Sequence, residues 1–278
     1  MKRVNKLILT VLLISISLPT LAQKNIVVLH TNDTHSRIEP LPETDRTFPN
    51  RGGVERRAIF VDQVREENKH VLLFDAGDFL QGTPYFNMFK GEVEVEAMNL
   101  LGYDAVTLGN HEFDYGMGIL EKIVKMAKFP VIASNYDFSD TPLSDKIKPY
   151  IIINKGGIRI GVIGININPK GLIASENYKG VKYVDPLKTA NEISALLKNK
   201  FKCDMIICLS HLGHGQDIKL AESSRNIDLI IGGHSHTYMK QPSVINNLDN
   251  KEVMIQQTNG RGVFVGRFDI EFEKLNKN

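Results

Sequence analysis

Ala105-Val106-Thr107-Leu108-Gly109-Asn110-His111-Glu112 runs from an apolar stretch through a glycine into three consecutive polar side chains that can bind metal or move protons. A short apolar run bounded by glycine reads as a buried strand, which places the polar block in the turn at its carboxyl end. The same pattern recurs along the chain. Ile26 to Leu29 leads to Asp33-Thr34-His35, Val71 to Phe74 to Gly77-Asp78, Met205 to Leu209 to His211, and Leu229 to Ile231 to Gly232-Gly233-His234-Ser235-His236. A sheet whose strand ends converge on one pocket brings all of these blocks together.

The segments between the blocks support such a sheet. Asn25 to His30 reads as a strand, Gly53 to Asn68 as a helix with Val54, Ala58, Val61 and Val64 on one face, and Val71 to Asp75 as the next strand. Glu92 to Leu101, Ala105 to Leu108 and Met117 to Lys128 continue the alternation, which is the signature of an α/β layered domain. The rhythm then changes. Tyr150 to Asn154 and Ile158 to Ile165 flank Lys155-Gly156-Gly157, a hairpin signal that introduces antiparallel pairing. Pro186 to Lys200 reads as a helix, and Cys203 to Ser210, Asp228 to Ile231, Glu252 to Gln256 and Gly262 to Glu273 as strands, the last with a bulge expected near Gly266. One sheet would struggle to hold both kinds of strand, so the expectation is one domain, residues 23-278, of two packed sheets with helices outside.

Residues 1-22 stand apart as a signal peptide. Lys2, Arg3 and Lys6 precede an apolar stretch from Leu7 to Leu18, and Thr20-Leu21-Ala22 offers small residues at the cleavage positions. The stretch is shorter than the ~20 apolar residues a spanning helix needs. An exported protein, periplasmic or secreted, with no stable membrane insertion after signal removal is therefore expected. Cleavage would leave 31 basic against 32 acidic side chains in place of the formal +2 of the 278-residue chain. With no polybasic run, the charge pattern gives no support for binding a nucleic acid duplex or a membrane surface. Cys203 and Cys208, five apart on one expected strand, point to opposite faces and are read as buried, reduced packing residues.

Asp33 and His35 lie two apart, so on an extended segment both side chains point the same way and can chelate one ion. Gly77 allows the tight backbone that turns Asp78 toward the pocket, where two carboxylate oxygens can bridge two cations. Asp75 is expected to hydrogen-bond the loop. Asn110 supplies a neutral hard oxygen, and His211, His234 and His236 supply imidazoles. Four ligands per metal with one shared gives Asp33, His35, Asp78 and His236 on one ion, and Asp78, Asn110, His211 and His234 on the other. Mixed nitrogen and oxygen donors without thiolate favour Zn²⁺ or Mn²⁺, with Fe, Co and Mg as alternatives. Such a pair, about 3.5 to 4 Å apart, holds phosphoryl oxygens and lowers the pKa of a bound water. His111 and Asp114 remain free, and Asp114 can fix the tautomer of His111 so that the imidazole acts on the transferring phosphoryl group or the leaving alkoxide.

At Leu29-His30-Thr31-Asn32-Asp33-Thr34-His35-Ser36-Arg37, Asp75-Ala76-Gly77-Asp78, Gly109-Asn110-His111-Glu112-Phe113-Asp114 and Gly232-Gly233-His234-Ser235-His236, the chain resembles the calcineurin-like metallophosphoesterases and, within them, the 5′-nucleotidase branch. The resemblance runs from about Ile26 to about Phe272. It implies a four-layer α/β/β/α sandwich of two mixed sheets flanked by helices, the dinuclear assignments above, and His111 with Asp114 as catalytic dyad. It also implies hydrolysis of phosphomonoesters by direct in-line attack of metal-bound hydroxide, without a phospho-enzyme. In that branch a second, C-terminal domain supplies aromatic residues that sandwich the base and arginines that grip the phosphate. These 278 residues hold no such segment. The chain is therefore expected to act on nucleotide phosphoesters alone, or with a separate chain that carries the nucleotide-binding domain.

The same centre would also serve a 2′,3′-cyclic-nucleotide phosphodiesterase or a nucleotide-sugar hydrolase, and Arg37 beside the first ligands is a candidate phosphate contact. A non-catalytic metal- or partner-binding protein on an inactive hydrolase fold is the alternative of another class. It predicts a missing ligand or dyad member, and none is missing.

Overall fold

The structure, a computed structural model, describes residues 24–272, so the expected signal peptide lies outside the described residues. Two large mixed sheets form the centre. In the first, the strands Lys24–Thr31, Val71–Asp75, Ala105–Thr107 and Val131–Ile132 run parallel, and Gly266–Phe272 pairs antiparallel on the outer side of Lys24–Thr31. In the second, Glu252–Gln256, Leu229–Gly232, Met205–His211 and Ile158–Asn166 are parallel neighbours. Ser243–Asn246 and Tyr150–Lys155 close its two edges in antiparallel pairing.

Side-chain alternation decides the layering. Ile26, Val28, Leu72 and Phe74 point to one face and pack against Ile160, Val162, Ile207, Leu209, Leu229 and Ile231 of the second sheet. Their neighbours Val27, Leu29, Leu73 and Val106 point the other way, onto Val61 and Val64 of helix Val54–Glu67, Val95 and Met98 of helix Glu92–Leu101, and Leu120 of helix Gly116–Met126. Ile206, Cys208 and Ile230 likewise meet Ala190 and Leu197 of helix Pro186–Asn199, and Leu220 and Ala221 of helix His214–Ser223. Strands buried on both faces read as continuous apolar runs, as these do, and the result is the expected four-layer α/β/β/α sandwich.

The hairpin turns at Gly156 and Gly157, both with positive φ of 59° and 74°, as the tightest antiparallel connection requires. Three expectations are corrected. The last strand starts at Gly266 and pairs residue by residue with Lys24–His30, so there is no bulge, and Gly262 to Val265 lies outside the strand. Cys203 precedes its strand, and both free cysteines sit in the same core beneath the second sheet instead of on opposite faces. Helix His214–Ser223 was not expected, because the polar Asp217 occupies its buried face beside Leu220 and Ala221. Among the described residues no helix is long and apolar enough to cross a membrane.

Candidate metal centre

The carboxyl ends of the parallel strands in both sheets open onto one face. Thr31, Asp75 and Val106 stand level across the first sheet, while Ser210 and Gly232 stand level across the second. Chain leaving these ends is stitched into one bed. Asp33 N donates to Gly77 O at 2.9 Å, His35 N to Asp78 O at 3.0 Å, Arg261 N to Asp33 O at 2.7 Å, and His234 N to the Asp33 carboxylate at 3.0 Å.

The backbone there is strained. Asp33, His35, Asp78, His234 and His236 all lie in the left-handed region, with φ of 48°, 48°, 55°, 72° and 49°. Non-glycine residues adopt that region rarely, at a cost of about 1–3 kcal/mol each, and cluster there at functional sites. Close approach adds a second constraint. A Cβ at Gly109 would fall 2.1 Å from Asp78 Oδ1, and one at Gly77 would fall 2.5 Å from Gly109 N, so the two turns interlock only because both are glycine.

The side chains meet where these loops converge. His211 Nε2 lies 3.1 Å from Asp78 Oδ2, His236 Nε2 lies 3.3 Å from Asp33 Oδ1 and 2.9 Å from His35 Nε2, and His234 Nδ1 lies 3.0 Å from Asn110 Oδ1. Three clusters have ligand atoms within 4.8 Å of one another: Asp33, His35 and His236; His35, Asp78 and His111; and Asp78, His211 and His234. All seven expected ligands are brought to this one face, and Asp78 belongs to the second and third of these groups.

Their electrostatics suit cations. His211 Nδ1 faces Ala76 O at 2.7 Å, so its proton is committed to that carbonyl and Nε2 is presented bare. That nitrogen is fully buried and has no hydrogen-bond partner, although the Asp78 oxygen is within reach. Two donors aimed at a common point without bonding each other are what a cation between them would satisfy. Burial opposes charge on both groups, yet the facing carboxylate raises the His211 pKa and the facing imidazole holds the Asp78 carboxyl below the usual range. The centre therefore favours positive charge between these side chains, and the donor set fits a pair of divalent ions.

Against this geometry, the sequence model of the calcineurin-like phosphoesterases matches residues 26–238. The chain belongs to that family. As a calcineurin-like phosphoesterase it is a metal-dependent phosphoester hydrolase, and its relatives fall in the 5′-nucleotidase branch. It is 33% identical to a snake venom 5′-nucleotidase of Crotalus adamanteus, over 89% of this chain and 45% of that one. A 5′-nucleotidase precursor of Thermus thermophilus superposes with a TM-score of 0.81 at 35% identity, covering 90% of this chain and 52% of that one. The NAD nucleotidase of Haemophilus influenzae superposes at 0.83 with 29% identity, covering 91% and 48%. The chain thus spans about half the length of these relatives.

In this phosphoesterase His111 and Asp114 are brought into contact. His111 Nδ1 and Asp114 Oδ2 lie 2.9 Å apart, and that bond, against the opposing effect of burial, raises the His111 pKa. Asp114 is not the N-cap of the following helix, which has Tyr115 there and no side-chain cap bond. Asp75 accepts from Thr31 Oγ1 at 2.5 Å and Gly77 N at 2.8 Å, so it shapes the loop as expected, and burial pushes its carboxyl up to about 7.

Sequence reasoning missed the residues that hold the donors in place. Glu112, fully buried, accepts from Gly109 N at 2.5 Å, Asp78 N at 3.0 Å and Leu80 N at 3.2 Å, so one carboxylate ties two ligand loops together. Asn32 donates to Asp33 Oδ2 and Asn259 O, each at 2.6 Å, and accepts from Thr258 N and Oγ1. Gln257 donates to Gly233 O at 2.9 Å and accepts from Ser235 Oγ and Thr237 N at 3.1 Å, holding the turn that carries His234 and His236. A signal existed. Gln257-Thr258-Asn259-Gly260 follows the strand Glu252–Gln256 in the same apolar-then-polar pattern as the other blocks.

Proposed function

We propose that this phosphoesterase hydrolyses phosphomonoesters of nucleotides at a dinuclear centre, as an exported protein working alone or with a separate chain that carries a nucleotide-binding domain. The observation that carries the reading is the convergence of seven nitrogen- and oxygen-donor residues, buried Asp78 among them, beside a preformed His111–Asp114 pair. Relatives named as 5′-nucleotidases support the nucleotide as substrate. Export rests on the sequence of residues 1-22.

In this reading Asp33, His35, Asp78 and His236 hold one ion, and Asp78, Asn110, His211 and His234 the other, with Zn²⁺ or Mn²⁺ favoured by the donors. Bound divalent ions supply charge neutralisation of the phosphoryl oxygens and a more acidic water. Asp78 would be the shared ligand; its Oδ2 faces His211 Nε2 at 3.1 Å, and its Oδ1 accepts from His111 N at 2.8 Å. Asp114 accepts the His111 Nδ1 proton and leaves Nε2 to meet a phosphoryl oxygen or to protonate the leaving alkoxide. His111 is a direct catalytic residue in this scheme, and Asp114 positions it.

Phosphate release from AMP, UMP and p-nitrophenyl phosphate is measured with Mn²⁺ or Zn²⁺ present, with and without a candidate chain bearing the second domain. Turnover of the nucleotides is expected. No release from any substrate under any of these conditions sinks the reading. The likeness to an NAD nucleotidase favours a second reading, hydrolysis of a phosphoanhydride-linked nucleotide, so NAD and a nucleotide sugar join the panel, and preference for either over AMP would select it.

A further inference from the structure

A cavity lies apart from the metal centre. It measures about 480 Å³ and is walled by Arg51, Arg56, Arg57, Phe60, Val263 and Phe264, together with the backbone turns at Gly52 and Gly262. None of its lining residues is one of the seven donors, and none is acidic. We infer that this cavity is a second ligand site, for a small organic phosphate whose oxyanion meets the arginines and whose ring lies against Phe60 and Phe264.

Three features carry the inference. Arg57 is only 6% exposed; its guanidinium lies beside the Tyr103 hydroxyl and acts on the buried Asp75 carboxyl, while its Nε and Nη2 have no hydrogen-bond partner. A buried guanidinium with open donors is costly unless an anion or another acceptor meets it. Arg51 and Arg56 bring further positive charge to the same wall, and guanidinium forks match phosphate in a way point charges do not. The rest of the wall is apolar and aromatic, Phe264 stacks on Tyr238 at 4.7 Å, and the volume lies in the range of small-molecule pockets. The cavity also touches the metal-side loop. A Cβ on Gly262 would lie 3.6 Å from Thr34 Cβ and 2.2 Å from Arg57 Nη2, and the adjacent Arg261 N holds Asp33 O.

The test is calorimetric titration of the full chain, in Mn²⁺, with an ADP analogue whose bridging oxygen is replaced by methylene, so that it is not cleaved there. A binding component is expected that survives Asp78→Asn, which disables the metal centre. That component weakens at least tenfold in an Arg51→Gln/Arg56→Gln double variant and in Phe60→Ala, each with an unchanged thermal midpoint. Phosphate alone and adenosine alone bind it more weakly than the analogue. The inference is overturned if no component survives Asp78→Asn, if the arginine variant leaves it unchanged, or if adenosine binds as tightly as the analogue. Binding of a hexaglutamate peptide in its place would reassign the cavity to an acidic protein segment. Failure here leaves the nucleotidase reading standing, because that reading is tested by turnover and this one by binding to protein without a working centre.

Discussion

The two sheets bring different chemistry to the same face. The first supplies the oxygen donors Asp33, Asp78 and Asn110, with His35 as its one imidazole among the seven expected ligands, and these oxygen-bearing residues are buried. The second supplies imidazoles, graded from fully buried His211 to exposed His236. Backbone N–H groups fix the carboxylates: His234 N on Asp33 and His111 N on Asp78 at 2.8 Å. The imidazoles are set by single contacts, such as His211 on Ala76 O. Neither sheet holds a complete ligand set, so the centre exists only where the sheets pack, and its anionic side is more rigidly built than its imidazole side.

Given that asymmetry, removing the Asp78 carboxylate, which stands in two of the three donor groups, should do the most harm. Asp78→Asn is expected to lose bound metal and to lower kcat/KM by more than the roughly 100-fold that loss of an outer partner costs. Metal content by mass spectrometry and turnover are read on the same sample. His236→Ala, on the exposed imidazole side, should retain more metal than Asp78→Asn; equal loss from both would break the comparison.

His111→Asn separates chemistry from metal binding. It should lower kcat by about 10²–10⁴-fold, the range for a general acid or electrostatic partner, with metal content unchanged. Loss of metal would instead make His111 a ligand, as its nearness to His35 and Asp78 permits. Next in size is Glu112→Gln, which keeps the shape and weakens the tie between the Gly109 and Asp78 loops. Metal affinity is expected to fall about 10–100-fold, the cost of losing an outer-shell partner. The folded state should also become less dependent on deprotonation there. Burial pushes the Glu112 carboxyl up to about 8, above the usual carboxylate range, and the neighbouring Asp78 charge adds to the rise. A carboxyl raised on folding favours the folded state most below its unfolded value of 4.5 and loses that contribution progressively as pH climbs from there to about 8. The metal-free wild type should therefore lose stability between about pH 5 and 8, a slope that Glu112→Gln should reduce in urea titrations.

These side chains were legible in the sequence to different degrees, for a physical reason. Asp33, Asp78, Asn110, His211 and His234 each follow an apolar run, and a strand end fixes where the next side chains go. Glu112, Asn32 and Gln257 act through backbone groups of other loops, which no local pattern encodes. The two-sheet layering was expected because one sheet would struggle to hold both kinds of strand; the layering is found, but each sheet mixes parallel and antiparallel pairs, so the number of strands to be buried, not their direction, calls for two sheets. Helix His214–Ser223 and the short strands Val131–Ile132 and Ser243–Asn246 were not legible, since an inward Asp217 and runs of two to four residues give no usable period.

The smallest expected effect lies farthest from the donors and tests whether the rigidity of the centre owes anything to covalent staples. Cys203 and Cys208 are unpaired, buried in the core on the outer face of the second sheet, and burial pushes both thiols up. A thiol held in its protonated form is a poor nucleophile, so oxidants should reach neither cysteine without unfolding. Cys208→Ala removes only a small buried group, and a cost of about 1 kcal/mol, typical of a void that size, is expected with kcat unchanged. The thermal midpoint of the wild type should be the same with and without reductant. A midpoint that falls on reduction would show that a disulfide forms, and that the imidazole-bearing sheet is braced in a way the packing alone does not reveal.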